Sequence, residues 1–336
     1  MGLGISSFIE CTGFGPSRML QSPSGKYLAQ TGGRAGYEMA HVKVAPTGKV
    51  IVAIGTSPHG QGGFTTCAQI VADSLGIGID DIEVVAGDTA TTPHGWGTFA
   101  SRAAVTTGNA VFSASQRLGE KAQGIAAHLL EAAPEDIELA DGLYGVRGSP
   151  GKSVTFATIA ATAHSNQLPP GIDHGLDETT PFDPNNYAFP FGTHLCAVEV
   201  DPETGDIAIL RYIAVDDCGV QINPLIVEGQ LHGGIVQGLG QALWEGVIYD
   251  GEGQLVTGSL MDYGLPRAND VVVAAHDEAW RRRLSAAHVR CILVPVLHGA
   301  SLVDHRDLTC AGSREQRRSV LTDRLVAIGG EVYASS

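Results

Sequence analysis

The placement of glycine limits what this chain can build. Twelve of its 44 glycines gather with short hydrogen-bonding residues in SPHGQGGFTT (57–66), GDTATTPHGWGTFASRA (87–103), DDCGVQINPLIVEGQLHGG (216–234) and GSLMDYGLP (258–266). Glycine removes side-chain bulk and admits positive φ, so such stretches present bare main-chain N–H groups to whatever lies over them. Each falls where a strand pattern ends or a helical pattern begins. The chain therefore reads as a mixed α/β or α+β protein with many tight turns.

The elements between these stretches follow from local chemistry. Tyr37–Ala45 and Lys49–Gly55 are β-rich runs around Pro46-Thr47-Gly48, a hairpin signal. A helix is expected over about Thr65–Leu75, with Thr65 or Thr66 as its cap, and then a strand in IEVVAGDT. Ala103 to Ala133 has few breakers and should be mostly helical. DIELADGLYGV reads as a hairpin turning at Asp141-Gly142, and SVTFATIAATAH as a short helix starting near Ser153. Four prolines (Pro169, Pro170, Pro181, Pro184) mark Asn166–Asn186 as an irregular surface connection. THLCAVEVDPETGDIAILRYIAVDDC is a strong hairpin around Asp201–Gly205. Beyond it, Pro224 suits a first helical position with Asn223 as cap. Gly233, Gly234, Gly238 and Gly240 each cost about 1 kcal/mol inside a helix. That predicts close packing of this helix against another backbone or a ligand. Neither GFGPS nor GQGGF reads as part of a βαβ unit with the downstream acid that a dinucleotide site requires.

Charge and cysteine usage exclude several classes. A formal charge of −15 argues against nucleic acid as a general partner. The six cysteines are scattered without C-x-x-C or matching histidine spacing, which excludes the usual zinc and iron–sulfur frameworks and suits a reducing cytosol. No basic n-region or bilayer-length apolar run is visible, so a cytoplasmic location is expected. The balance changes after about Pro266. Residues 1–266 carry 11 Lys+Arg against 28 Asp+Glu, whereas 267–336 carry ten Arg, no Lys and eight acids.

The four glycine stretches together suit a large, polar, anionic cofactor. In order and spacing they resemble the molybdopterin-binding large subunit of the xanthine oxidase family, on the branch of the aerobic carbon monoxide dehydrogenases. The resemblance covers about residues 2–266. It implies an α+β fold, the molybdopterin-binding domain of a molybdenum hydroxylase large subunit. It divides the chain into a first subdomain at 1–190, a truncated second at 191–266 and a non-matching Arg-rich tail at 267–336. Gln61 and Gly62 match the family's G-Q-G loop beside the pterin and the metal's oxo side. Gly97, Thr98, Ser101 and Arg102 match its G-T-Y-G-S-R segment at the cofactor's phosphate-bearing part. Asp217, Cys218 and Asn223 match pterin contacts, and Gln230 the following G-Q. No protein metal ligand is implied, because the pterin dithiolene supplies the sulfurs. The implied cofactor is molybdenum–molybdopterin in its cytosine dinucleotide form. The implied partners are an iron–sulfur small subunit and an FAD-binding medium subunit, in a hetero-oligomer such as a dimer of heterotrimers.

Two departures stand against that pattern. Gly63-Phe64 replaces the His-Glu of G-Q-G-H-E-T-T, and the family's K-G-x-G-E motif, which carries the general-base glutamate, has no counterpart where it is expected. Glu331 in Gly329-Gly330-Glu331 lies too late to take that role, so the catalytic residue is unassigned. A shifted or misjoined reading frame after about 266–270 accounts for the change. The functional expectation is a fragment contributing to oxidation of CO, an aldehyde or an N-heterocycle with water as oxygen source. The alternative is a non-catalytic remnant or subunit-assembly module. Taken singly, the motifs read more plainly: Gln61 as a loop amide, Arg102 as the partner of a surface carboxylate, Asp216 and Asp217 as a strand end, Cys218 as a buried thiol. His59, His94, His194 and His232 lack ligand spacing.

Overall fold

The computed structural model describes residues 1–15, 36–268 and 270, and its architecture is mixed helix and strand. The Arg-rich tail beyond Asp270, including Glu331 and the strand pattern RCILVPVL, lies outside the described residues. The chain divides into two compact units: Cys11–Ala188, and Met1–Glu10 together with the chain from Phe189 onward.

In the Cys11–Ala188 unit, β2 (Glu38–Val44), β3 (Val50–Ile54), β4 (Ile82–Ala86) and β8 (Leu176–Phe182) form a sheet in the order β4-β3-β2-β8. The β2–β3 hairpin turns through Pro46–Gly48, as its residues predict. Helices α1 (Gly63–Leu75) and α2 (Ala103–Leu129) supply the core against it. Val42, Val52, Val71, Leu118 and Ile125 are wholly buried. Each such side chain contributes about 1.5–3 kcal/mol by leaving water. A second small sheet, β5 (Ile137–Ala140), β6 (Leu143–Val146) and β7 (Ser149–Thr155), turns at Asp141-Gly142, with both residues at positive φ. Short helix α3 (Phe156–Ala163) follows.

Four sequence expectations change here. Helix α1 begins two residues before Thr65, with left-handed Gly62 at its cap and no side-chain cap. The Thr66 hydroxyl instead donates to the Gly62 carbonyl inside the first turn. Ser153 lies in β7, and Thr155 caps α3 by accepting the Thr158 N–H. The stretch 166–186 is not wholly irregular, because β8 lies inside it and pairs antiparallel with β2. Pro181 is admitted there because β8 is an edge strand, where a missing N–H costs no ladder bond. GQGGF does sit in a βαβ unit, since β3 and β4 run parallel with α1 as their crossover. The acid after β4, Asp88, is spent on its own turn, accepting the Ala90 N–H at 2.9 Å.

In the other unit, β1 (Gly2–Ile9), β9 (Phe191–Val200) and β10 (Ile207–Asp217) form an antiparallel sheet in that order. The β9–β10 turn is fixed by the Asp201 carboxylate, which accepts the Glu203 and Thr204 N–H groups. Helix α4 (Pro224–Leu243) opens as its sequence predicts, with Pro224 in the first turn and the Asn223 side chain accepting the Ile226 N–H at 3.1 Å. Its glycines divide. A Cβ at Gly229, Gly233 or Gly238 would meet nothing within 4 Å, while one at Gly240 would crowd Glu245 and Pro266. The 258–266 stretch returns to that end of α4, where the Tyr263 hydroxyl donates to Glu245 Oε2 at 2.8 Å. Among the described residues no helix is long and apolar enough to cross a membrane.

Candidate cofactor-binding site

Two of the glycine stretches are brought together within the Cys11–Ala188 unit. The first, 55–62, leaves the end of β3 and enters α1. Gly60 and Gly62 take positive φ there, at 99° and 82°. The Gln61 side-chain carbonyl accepts the His59 N–H at 2.5 Å, which fixes the amide within its own loop. Because Thr66 N–H is the first to bond back to Gly62, the N–H groups of Gly63, Phe64 and Thr65 have no partner inside the helix. They lie at the positive end of the α1 dipole, where an anion gains about 0.3–1 kcal/mol.

The second stretch, 95–102, runs into α2. Gly97 takes φ 89°, and Ala100 and Ser101 take φ 46° and 50° immediately before the helix. Non-glycine residues in the left-handed region are strained, so this turn is held by its surroundings. Arg102 does the holding. Its side chain is fully buried, pairs with the equally buried Glu38, and donates to the carbonyls of Phe14, Gly36 and Gly97. Glu38 Oε1 also accepts the Trp96 N–H at 2.8 Å. Arg102 is therefore an internal anchor in this structure, not the partner of a surface carboxylate. Thr98 keeps a buried hydroxyl with no hydrogen-bond partner among the described residues.

The loops touch through glycine. A Cβ added at Gly95 would lie 2.6 Å from Gly55 Cα, and one at Gly55 would lie 2.6 Å from Gly95 Cα. Over Gly60 and Gly97 the reverse holds, because a Cβ there would meet nothing within 4 Å. Bare main chain, an unpartnered buried hydroxyl and helix N–H groups make a donor set suited to an anionic, bulky group. The residues present thus fit a phosphate-bearing pterin cofactor.

Three of the remaining candidates meet in the other unit. Asp217, Cys218 and Gln230 line a cavity of about 10 Å³ with Phe8, Phe191, Asp216, Val227 and Leu231. That is room for about one water molecule. Asp217 accepts the Gly219 N–H at 3.0 Å, and Cys218 is buried. Asn223 does not line the cavity, its side chain being used as the α4 cap. Asp216 also faces His194, whose Nε2 lies 3.2 Å from both carboxylate oxygens, while His194 Nδ1 is 3.0 Å from the Tyr212 hydroxyl. Burial first, then the nearby Cys196 and Asp216, push the Tyr212 hydroxyl up to about 12. Among the described residues no cluster of His, Cys, Asp or Glu is arranged to hold a metal ion.

Glu38 was missed by sequence reasoning. Its signal is parity, since Glu38, Ala40, Val42 and Val44 alternate along β2 and all four are buried. An acid in step with a core face needs a buried partner.

Comparison with known proteins identifies the family. The molybdopterin cofactor-binding domain profile matches residues 1–272, and the chain belongs to that family. It is 40% identical over 268 residues to the carbon monoxide dehydrogenase large chain of Hydrogenophaga pseudoflava, covering 80% of this chain and 32% of that one. It is equally identical, over 268 residues, to the nicotine 6-hydroxylase large subunit of Paenarthrobacter nicotinovorans, covering 79% and 32%. Among solved structures, quinoline 2-oxidoreductase from Pseudomonas putida 86 superimposes with a TM-score of 0.71 at 42% identity, covering 80% of this chain and 34% of that one. Reconstituted CO dehydrogenase from Oligotropha carboxidovorans gives 0.72 at 38%, covering 81% and 32%. The chain spans about a third of the length of the curated relatives it matches.

Proposed function

We propose that this chain is the molybdopterin-binding portion of a molybdenum hydroxylase large subunit, acting on CO, an aldehyde or an N-heterocycle. The observation that carries the reading is the meeting of the 55–62 and 95–102 loops at Gly55 and Gly95, in a chain of the molybdopterin cofactor-binding family. When bound, the molybdenum centre accepts two electrons while water supplies the oxygen. The chain's own part is to bind and orient. Gly63, Phe64 and Thr65 offer N–H groups, Thr98 its hydroxyl, and Gln61 its amide. Arg102 keeps the second loop in shape from beneath. In the other unit Asp217, Cys218 and Gln230 form the second contact set, with Asn223 fixing the start of the helix that carries Gln230. The cofactor of this reading is the cytosine dinucleotide form, and its partners are iron–sulfur and FAD-binding subunits in a cytoplasmic hetero-oligomer.

A second reading is an assembly module without turnover. It is favoured by Gly63-Phe64 in place of His-Glu. Molybdenum and pterin content of the purified chain separates the two. A stoichiometric load supports the first, and a stable fold without it supports the second. Gln61→Ala should lower that load several-fold while the exposed control Glu135→Ala leaves it intact; equal loads would remove Gln61 from the site.

A further inference from the structure

We propose that Glu38 is a positioning residue that couples the 55–62 and 95–102 loops, so that the two open or close as one body. The proposal rests on the reading of these loops as the cofactor cradle, but its physical content is independent of any ligand. A single buried carboxylate reaches both loops. Its Oε1 accepts the Trp96 N–H and pairs with Arg102, which in turn donates to the Gly97 carbonyl at 2.8 Å. Its Oε2 sits at the seam between the loops, 2.9 Å from where a Cβ of Gly55 would stand and closer still to where one of Gly95 would, and it is buried with no hydrogen-bond partner among the described residues. The glycines at 55 and 95 leave no side-chain cushion between the loops, so a shift of one is transmitted to the other by main-chain contact.

Charge is part of the device. The Arg102 guanidinium has a fixed fork of donors, and three backbone carbonyls and the carboxylate set its orientation. Removing the negative charge leaves a cation stranded in the interior. The strained Ala100–Ser101 turn, which lies between the Gly97 carbonyl and Arg102, would then relax.

Native-state hydrogen exchange on the unaltered 336-residue chain tests the coupling directly. The amides of Trp96 and of residues 56, 57 and 59–62 should share one denaturant dependence, apart from that of the α2 core around Leu118. Separate dependences overturn the proposal. Glu38→Gln should then raise exchange at least tenfold in both loops together, with the Leu118 region of α2 unchanged; loosening of one loop alone, or of neither, overturns it. If Glu38→Gln does not fold, the double variant Glu38→Gln/Arg102→Met, which strands no charge, is read in the same way. In that folded double variant molybdenum and pterin retention should fall at least tenfold below the unaltered chain. If the unaltered chain carries no molybdenum at all, the proposed function fails while the exchange result still decides the coupling.

Discussion

The two units bury themselves to very different degrees. Cys11–Ala188 holds Val42, Val71, Leu118, Ile125, Ile159 and Leu176 at zero exposure. The other unit has no apolar side chain so completely enclosed among its described residues. Its best-buried ones are Cys196, Val198, Cys218, Val227 and Leu239. One face of its sheet, Leu3, Ile5, Ile9, Phe191, Ile213 and Val215, stands open, with Ile9 at 75%. The first unit thus has a core that two helices on a four-stranded sheet can close by themselves. The second has strong local pairing and little enclosure. Sheet register comes from hydrogen bonds and turns, whereas stability comes from area removed from water.

Substitutions can break or sharpen that contrast. The largest effect should come from Leu118→Ala in α2, at about 2–5 kcal/mol, measured by urea unfolding. A loss under 1 kcal/mol would mean that the first unit's core is less closed than its exposure values imply. Next in size is a pH effect. Burial raises the Cys67 thiol from 9.0 to about 12. In the folded state the proton is held where the unfolded chain has released it, so stability is fully present below pH 9 and declines as pH rises toward 12. Cys67→Ala should flatten that decline. In the native chain at pH 8, iodoacetamide should label exposed Cys11 well before Cys67. The smallest effect should be Ile213→Thr on the open sheet face, at about 0.5 kcal/mol or less. A cost above 1 kcal/mol in a purified assembly would show that this face is covered there.

What the sequence disclosed was local. Pro46-Thr47-Gly48, Asp141-Gly142 and Asp201–Gly205 carry their turn geometry within a few residues, so all three hairpins were legible. The cap at Asn223 was legible for the same reason. β8 was hidden because Pro181 is a breaker by local rules and tolerable only on an edge, a fact about neighbours. The α1 start was misplaced because threonine is the better cap in general, while a left-handed glycine opens the helix earlier here. At the candidate site, glycine clustering marked the loops, and the first two do meet. Glu38 was not marked, because its partner Arg102 is 64 positions away and an isolated Glu in YEMAHV reads as a solvated residue. Of the α4 glycines read as a sign of close packing, Gly240 meets Glu245 and Pro266, while Gly233 and Gly238 have open space beside them in this structure.

One pairing sets an order of events during synthesis. Gly2 lies opposite Val198, so β1 is completed only by a strand that leaves the ribosome almost two hundred residues later. At roughly 5–20 residues per second that interval is on the order of ten seconds or more. The Cys11–Ala188 unit has all its described strands available before then and can finish folding while eight-residue β1 waits without its β9 partner, apolar on one side. A nascent chain stalled near residue 190 would already contain the loop pair joined at Gly55 and Gly95, with β1 still open to capture by a chaperone.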